Sequence, residues 1–358
     1  MSGHELRPPE PAEDDLAWCH EAVQGVSRTF ALTVDVLDEP MSSYICLGYL
    51  LCRVADTVED AGHVPSSEQA RLLRLYDEAL DPDSPTTAAE FEREVAPHLP
   101  PAEDRGDDWA VVANADRIVG TFERLDDDVR AATVPPVREM VTGMAEFVDR
   151  YADRGGLRLS DRSELEEYCY YAAGTVGTLI TNLLTREGVA ADRAETLEDT
   201  AEEFGLLLQL VNISKDVYDD YTEEDNVYLP REWLAEVGVD QESVLEPANR
   251  DAVSSVVVRT ADHARTFLDD AQRYLQAMPL RDGNTIAAWA IPYLLAVGTL
   301  RELDDHPAAA LTEAGVKVSR QEVFAVVSRM TAAGVDAVPG LRETIASRPL
   351  HTSGPNAD

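Results

Sequence analysis

The chain has 358 residues, of which 44% are hydrophobic and 27% are charged, a balance that is typical of a globular protein and argues against disorder over most of its length. Its 68 acidic and 30 basic residues give a formal net charge of −38 at pH 7. This charge argues against nucleic acid, or an anionic bilayer, as a partner held by electrostatic attraction, so an anionic ligand would need local cations.

The basic residues are almost all arginines, since Lys215 and Lys317 are the only two lysines, and the acidic residues are spread along the whole chain. Such a composition indicates a high-salt cytoplasm, because the Debye length falls to about 3 Å at about 1 M salt and the repulsion is then tolerable. The alternative is a mildly acidic mesophilic protein.

Helical periodicity runs along nearly the whole chain. Apolar residues recur at i, i+3 and i+4 and no alternating strand pattern appears, so we predict an all-α protein. The predicted helices span 13–25, 41–60, 66–80, 107–130, 134–153, 163–185, 198–222, 247–277, 284–302 and 319–333. They are separated by breakers such as DPDSP (81–85), VPP (134–136) and ADRGG (152–156). No repeat or linker marks a second domain, and we predict one domain over 13–347 between mobile ends at 1–12 and 348–358.

The cysteine pattern and the hydropathy indicate a cytoplasmic protein. The four cysteines form no CxxC pair and are predicted to be core residues in a reducing compartment; they are Cys19, Cys46, Cys52 and Cys169. No apolar leader opens the chain, and the most apolar stretch, 285–300, is shorter than the roughly 20 residues of a membrane span. Contact with a membrane surface stays open. The histidines lack the spacing of zinc ligands.

Three predicted helical segments, 43–55, 168–184 and 204–213, are apolar on more than one face and are therefore expected at the centre of a bundle. They contain glycines, each of which costs about 1 kcal/mol of helix propensity relative to alanine. Two explanations are open: close packing of helices, or room for a bulky ligand along the bundle axis.

Two aspartate pairs point to metal binding. Asp56 and Asp60 lie four residues apart at the end of an apolar helix, and Asp216 and Asp220 repeat this arrangement. Carboxylates one helical turn apart repel each other unless a cation is held between them. A hard divalent ion such as Mg²⁺ takes one or two carboxylates together with water and phosphate oxygens. The sequence therefore predicts that the two pairs hold Mg²⁺ and a diphosphate between facing helices.

The spacing alone is weak evidence, because the chain contains other aspartates four residues apart. These are Asp77/Asp81, Asp104/Asp108 and Asp149/Asp153, which we interpret as solvated helix faces. The two selected pairs differ because each follows some ten mostly apolar residues.

Several segments together resemble the squalene/phytoene synthase family, and within it the squalene synthases. They are SRTFAL (27–32), YLLCRVADTVED (49–60), GMAEFVDR (143–150), YCYYAAGTVG (168–177), GLLLQLVNISKDVYDDY (205–221), AIP (290–292) and AGVKVSR (314–320). The resemblance implies an isoprenoid-synthase-type helical bundle around an apolar channel. It further implies head-to-head condensation of two farnesyl diphosphates to presqualene diphosphate, and reduction of that intermediate to squalene by NADPH. With the charge, it suggests a halophilic archaeal source.

The resemblance also implies roles for individual residues. Asp56, Asp60, Asp216 and Asp220 correspond to Mg²⁺ ligands. The cations that contact the diphosphate are matched here by Arg28, Arg53 and Lys215. The polar partners of the diphosphate or metal site are matched by Gln209 and Asn212. Aromatic and polar residues that line the substrate site correspond to Ser27, Phe30 and Tyr49. Tyr168 corresponds to the acid/base of the first half-reaction, with Tyr171 one turn further. Packing tyrosines and salt-bridging arginines are the open alternatives for these side chains.

The reductant distinguishes the possible products. Squalene synthases carry a basic segment near the nicotinamide nucleotide, matched here by Val316–Arg320, and the resemblance makes Lys317 and Arg320 candidates for NADPH contacts. The match is partial because Ser319 replaces a basic residue, and YLP (228–230) is closer to phytoene synthases. Phytoene or dehydrosqualene synthesis without a reductant is therefore the alternative. A catalytically silent binding factor is a remote one, since both aspartate motifs are intact. The oligomeric state stays open.

Overall fold

The structure, a computed structural model, describes residues 13–186, 188–279 and 285–352, except for the side chains of Glu13, Arg28 and Thr29. Within these ranges the regular structure is helical, and the one β-type contact is an isolated bridge between Arg158 and Val227. This confirms the predicted all-α class.

The α-helices follow in chain order. The first half contains α1 (Glu13–Val26), α2 (Arg28–Asp35), α3 (Met41–Glu59), α4 (Ser66–Leu80), α5 (Ala88–Val95), α6 (Asp107–Val112), α7 (Ala115–Phe122), α8 (Asp127–Arg150) and α9 (Arg162–Cys169). The second half contains α10 (Thr175–Thr185), α11 (Ala191–Lys215), α12 (Val217–Glu223), α13 (Arg231–Glu236), α14 (Arg250–Arg265), α15 (Leu268–Ala277), α16 (Thr285–Asp305), α17 (Arg320–Ala332) and α18 (Val338–Ser347).

The helices predicted to be apolar all round form the centre of the molecule. Helix α11 packs against α10, α14, α15 and α16, and α8 packs against α3, α4 and α10. Buried apolar side chains from these helices form one continuous core, as expected of a single domain. The four cysteines are buried and unpaired.

Close packing explains the glycines at the contact between α10 and α11. A Cβ atom on Gly177 would lie 2.2 Å from the carbonyl oxygen of Ala201, and one on Gly205 would lie 2.3 Å from that of Ala173. Because the backbones touch at both points, no side chain fits there. These two glycines therefore set the distance between the helices, and the apolar channel remains a prediction.

The predicted helix break at residues 134–136 is wrong, because Pro135 and Pro136 lie inside α8. A proline has no N–H, so Pro136 leaves the carbonyl of Ala132, four residues earlier, without its helical partner. The side-chain amide of Asn182 on α10 donates to that carbonyl at 3.1 Å. A partner 50 residues away in the chain therefore allows the helix to continue.

Other boundaries also differ from the prediction. The predicted helix 107–130 is divided into α6, α7 and the start of α8, and the helix predicted over 198–222 is interrupted at Asp216. Helices α2, α5, α13 and α18 were not predicted. Within the tail predicted from residue 348, Leu350 is buried and its N–H donates to Glu322 Oε1 at 3.1 Å. Residues 1–12 and 353–358 lie outside the described residues.

Helix α16 is long and apolar enough to cross a membrane by length and composition alone. However, 83% of its most apolar window is buried inside the protein, and it packs against α2, α11, α17 and α18. These contacts are those of a core helix.

Candidate active site

Helices α3, α9, α11 and α12 and the segment after α12 line a cavity of about 280 Å³. Nine of the residues predicted for the site line it: Arg53, Asp56, Asp60, Tyr168, Gln209, Asn212, Lys215, Asp216 and Asp220. Three further lining residues were not predicted: Ile213, Glu224 and Tyr228. The structure therefore brings the two aspartate motifs together.

The first motif lies at the carboxyl end of α3, which is buried along most of its length. The Arg53 guanidinium donates to Asp56 one turn later, and its Nε donates to Asp108 Oδ1 on α6 at 2.8 Å. Because two carboxylates flank this arginine, its pKa is raised further above its ordinary value. Arg53 is thus a fixed positive charge beside the metal motif.

The second motif lies at the junction of α11 and α12. Lys215 is the last residue of α11, where a cation interacts favourably with the helix dipole, and its ammonium group donates to Asp216. Asp216 ends the helix, yet the N–H of Asp220 still bonds to the carbonyl oxygen of Asp216 at 2.9 Å. Asp216 and Asp220 therefore remain one helical turn apart despite the interruption.

Burial and the charge of neighbouring carboxylates raise the pKa values of three carboxyl groups in the cavity. Burial, followed by the charge of Asp56, raises the pKa of Asp60 to about 7. Burial, followed by Asp216 and Asp60, raises the pKa of Asp220 well above its ordinary value. Burial, followed by Asp60 and Asp220, raises the pKa of Glu224 to about 10. The carboxylates thus interact across the cavity, and Arg53 and Lys215 do not offset their charge.

The donor set fits Mg²⁺ bound together with a substrate. Among the described residues, no group of three or more His, Cys, Asp or Glu side chains is arranged to hold a metal ion. The cavity instead offers carboxylates from two facing helices and the amides of Gln209 and Asn212. Because Mg²⁺ needs few protein ligands when phosphate oxygens and water complete its shell, this arrangement suits an ion that arrives with a diphosphate.

Tyr168 forms one wall of the cavity and is 3% exposed. Its hydroxyl lies 3.1 Å from the hydroxyl of Tyr228 and 3.4 Å from Glu59 Oε2. Its ring stacks on that of Tyr228, with centroids 4.8 Å apart, and meets Phe147 edge-on. Burial, followed by the charge of Glu59, raises the pKa of the Tyr168 phenol well above its ordinary value, so this phenol stays protonated.

The aromatic residues predicted to line the substrate site form a stacked pair. The rings of Phe30 and Tyr49 lie 3.9 Å apart at 17°, and Phe30 also contacts Trp289 on α16 at 6.3 Å. Ser27 caps α2, since its hydroxyl accepts from the N–H of Phe30 at 3.2 Å. Burial raises the pKa of Tyr49 to about 12. The side chain of Arg28 lies outside the described residues.

Tyr171 does not line the cavity. It lies in a π-helical turn, Tyr170–Gly174, which follows Tyr168 and adds a residue to the helical turn. Its ring lies against Gly143 of α8, where an added Cβ would be 2.2 Å from the ring. Tyr171 therefore lies at the packing surface between α8 and the π turn.

The two predicted NADPH contacts lie outside the cavity. Lys317 and Arg320 are exposed at the start of α17, and neither forms an ion pair with a described residue. Ser319, between them, caps α17 by accepting from the N–H of Glu322. Both cations are free to meet an anionic ligand.

Four residues beside the predicted ones had no role assigned from the sequence: Glu59, Glu224, Asn226 and Tyr228. Glu59 is 2% exposed and adjoins the first motif, so its position in DTVED is a local signal. Glu224 and Asn226 follow the end of α12 in a non-helical segment, and only the fold shows that this segment turns back to Tyr168.

Known proteins resemble this chain along most of its length. A squalene synthase of Botryococcus braunii is 27% identical over 299 residues, which are 83% of this chain and 60% of the relative. The chain thus spans about three fifths of that relative's length. A squalene synthase of Dictyostelium discoideum is 25% identical over 344 residues, covering 95% of this chain and 76% of the relative.

A solved structure, of the protein TcSQS with a ligand, superposes with a TM-score of 0.78 at 23% identity and covers 93% of this chain and 90% of that one. This likeness shows the fold. The model of the squalene/phytoene synthase family matches residues 23–322, a range that includes every residue lining the cavity. The chain therefore belongs to the squalene/phytoene synthase family, a group of prenyltransferases.

Proposed function

We propose that this protein condenses two farnesyl diphosphates head to head to presqualene diphosphate and then reduces this intermediate to squalene with NADPH. The observation that carries the proposal is the convergence of two aspartate motifs, two cations and a buried tyrosine on one cavity. The intact motifs argue against a catalytically silent binding factor.

The first step is departure of diphosphate from the donor substrate. Arg53 and Lys215 line the cavity beside the aspartates and supply fixed positive charge for the leaving group. Asp56, Asp60, Asp216 and Asp220 would hold Mg²⁺, which neutralises diphosphate charge when bound. Gln209 and Asn212 face the same space and offer neutral hydrogen bonds.

Tyr168 is the proposed proton acceptor when the cyclopropane closes. A neutral phenol is a poor base toward ordinary acids, but a carbocation is a strong enough acid to protonate it. As Tyr168 Oη takes the proton, its own proton passes to the carboxylate of Glu59, whose Oε2 lies 3.4 Å away. The aromatic rings around it also stabilise positive charge.

The second half-reaction requires a hydride donor. Lys317 and Arg320 are the proposed contacts for the phosphates of NADPH, which supplies the hydride when bound. Dehydrosqualene or phytoene formation without reductant is the second candidate, and the Tyr228–Leu229–Pro230 segment favours it. We propose a cytoplasmic location, with contact to the membrane surface where the apolar product is released.

The deciding experiment is an assay of purified protein with farnesyl diphosphate, Mg²⁺ and high salt, with and without NADPH, followed by product identification. Squalene formed only with NADPH supports the proposal. The same product with and without NADPH would replace it with the second candidate, and no consumption of farnesyl diphosphate would reject both.

The Lys317→Ala/Arg320→Ala double variant tests the nucleotide site. Consumption of farnesyl diphosphate should continue, because forming presqualene diphosphate uses no hydride. The NADPH requirement should rise roughly ten-fold or more for each lost charge-assisted contact. An unchanged NADPH requirement would exclude these two residues.

A further inference from the structure

The hydroxyl of Tyr168 has one proton and two acceptors within reach. The oxygen of Tyr228 lies 3.1 Å away, whereas the two oxygens of Glu59 lie 3.4 Å and 3.5 Å away. The stacked rings of the two tyrosines hold their hydroxyls side by side at the cavity wall. The direction of the Tyr168 O–H bond therefore depends on the position of the Tyr228 hydroxyl oxygen.

Asn226 holds the Tyr228 oxygen in place. The Asn226 side chain is buried, and its Oδ1 accepts from the N–H of Leu157 at 2.8 Å. A backbone N–H can only donate, so this contact fixes the orientation of the amide. The Nδ2 group then faces Tyr228 Oη at 3.0 Å and Glu224 Oε2 at 3.3 Å.

The segment that carries these two residues is tied to the opposite loop. Arg158, 2% exposed, donates to the backbone oxygen of Asp225, to Asp225 Oδ1 at 2.7 Å and to Glu242 Oε1 at 2.8 Å. Asp225 has a positive φ of 58°, so the chain turns sharply just before Asn226. The N–H of Val227 bonds to the carbonyl of Leu157 at 2.9 Å. Tyr228 is thus held at its hydroxyl by Asn226 and through the backbone of the preceding residue, Val227.

We propose that Tyr228, anchored by Asn226, is a positioning residue that directs the hydroxyl of Tyr168 for proton transfer. This inference rests on the proposed function, in which Tyr168 is the proton acceptor. Tyr228 itself need not bond to the substrate. Its phenol oxygen is the nearer of the two partners of the Tyr168 hydroxyl, at the wall of the cavity that both tyrosines line.

The test is a double-mutant cycle of Tyr228→Phe and Tyr168→Phe, measured as consumption of farnesyl diphosphate. Phenylalanine keeps the stacked ring and removes only the hydroxyl. Tyr228→Phe should lower kcat roughly ten-fold with KM unchanged, the effect expected for one lost hydrogen bond. In the Tyr168→Phe background the same change should cause no further loss, because the hydroxyl that it positions is gone.

Tyr274→Phe is the matched control. Tyr274 is also buried, its hydroxyl lies 2.9 Å from Thr181 Oγ1 and its ring packs on Phe204, but it does not line the cavity. Its loss should leave kcat and KM unchanged. An equal fold-loss from Tyr228→Phe in both backgrounds, or an effect on KM alone, would overturn the positioning role.

A measurement without turnover separates this inference from the proposed function. In protein labelled with ¹³Cζ-tyrosine, the Tyr168 signal, assigned from its absence in Tyr168→Phe, should shift in Tyr228→Phe and not in Tyr274→Phe. A signal that shifts would support the contact between the hydroxyls of Tyr168 and Tyr228. If the wild-type protein then does not consume farnesyl diphosphate, the proposed function is wrong although this contact exists. If the signal does not move, the positioning role is wrong whatever the activity.

Discussion

At the scale of single residues, the candidate site contains more carboxyl groups than its two cations can neutralise. Burial raises the pKa values of Asp60, Asp220 and Glu224, and the charge of Asp60 adds to the shifts of the other two across the cavity. The two cations that line it, Arg53 and Lys215, are already engaged with Asp56 and Asp216. A ligand that brings divalent cations would relieve this repulsion, and a diphosphate would complete the shell of each ion.

The first prediction concerns Asp56. Asp56→Asn removes a proposed metal ligand, and we expect activity to fall by roughly 100-fold or more, comparable to the loss of one stabilising group at a charged transition state. The melting temperature should change little, because relief of the repulsion with Asp60 is offset by loss of the ion pair with Arg53. Activity and calorimetry measure the two effects separately.

Asp149→Asn is the control for Asp56→Asn. Asp149 also belongs to a pair of aspartates four residues apart, but it is 44% exposed and pairs with Arg74 on the outer surface. Its loss should change activity little. Equal damage from the two variants would mean that burial next to an apolar helix does not identify the metal motifs.

The second prediction is a pH dependence. The folded-state pKa of Asp60, about 7, lies above that of an unfolded aspartate, about 3.9. Between these values the folded protein binds the extra proton, so the contribution of Asp60 to the free energy of unfolding falls as pH rises through this window. Without Mg²⁺, Asp60→Asn should therefore stabilise the protein more at about pH 8 than at about pH 5.

Denaturant unfolding in EDTA at the two pH values measures this difference. Adding Mg²⁺ and diphosphate to the wild-type protein should reduce the pH dependence, because bound cations favour the ionised carboxylate. A stabilisation by Asp60→Asn that is the same at both pH values would contradict the raised pKa.

At the scale of helices, sequence periodicity predicted some bounds accurately but not those of α11, which begins at Ala191 rather than at 198 and ends before Asp216. Helices α3 and α4 begin and end where their apolar patterns do, within a residue. The path of α8 through Pro135 and Pro136 could not be predicted, because it depends on a side chain from α10. The positions of Asn226 and Tyr228 depend in the same way on a loop some 70 residues earlier, at Leu157. Local pattern cannot contain such contacts.

The third prediction tests the support of α8. Asn182→Ala leaves the Ala132 carbonyl without the amide that replaces its helical partner, and we expect a loss of about 1–2 kcal/mol in the free energy of unfolding. Farnesyl diphosphate turnover well below the melting temperature should be unchanged, because neither residue lines the cavity.

A second substitution distinguishes this mechanism from a general packing defect. Pro136→Ala restores an N–H four residues after Ala132, so Asn182→Ala should cost less in that background than in the wild-type protein. The difference between the two costs is the measured quantity, since Pro136→Ala also removes buried volume. Identical costs in the two backgrounds would show that the amide does not substitute for the missing helical bond.

At the scale of the whole molecule, the family-wide fold and the acidic surface serve different needs. The family match covers residues 23–322, which include every residue lining the cavity. The net charge of −38 exceeds what the site requires and arises mostly from carboxylates on exposed helix faces. Many of these carboxylates pair with arginines, as Asp15 does with Arg117 and Asp77 with Arg138, but 38 acidic charges remain uncompensated.

The last prediction follows from that surplus. Between about 1 M and about 0.1 M KCl the Debye length grows from roughly 3 Å to roughly 10 Å, so each surface carboxylate is repelled by more of its neighbours and the folded state loses stability. We therefore expect the melting temperature to rise with KCl.

Salt also strengthens apolar burial, so this prediction needs a control. The control is the same titration at about pH 4.5, near the ordinary pKa values of carboxyl groups, where many of them are protonated. If screening is the cause, the slope of melting temperature against salt must be smaller at the lower pH. An equal slope at both pH values would assign the effect to apolar burial, and a melting temperature independent of KCl would contradict the high-salt origin while leaving the proposed chemistry untouched.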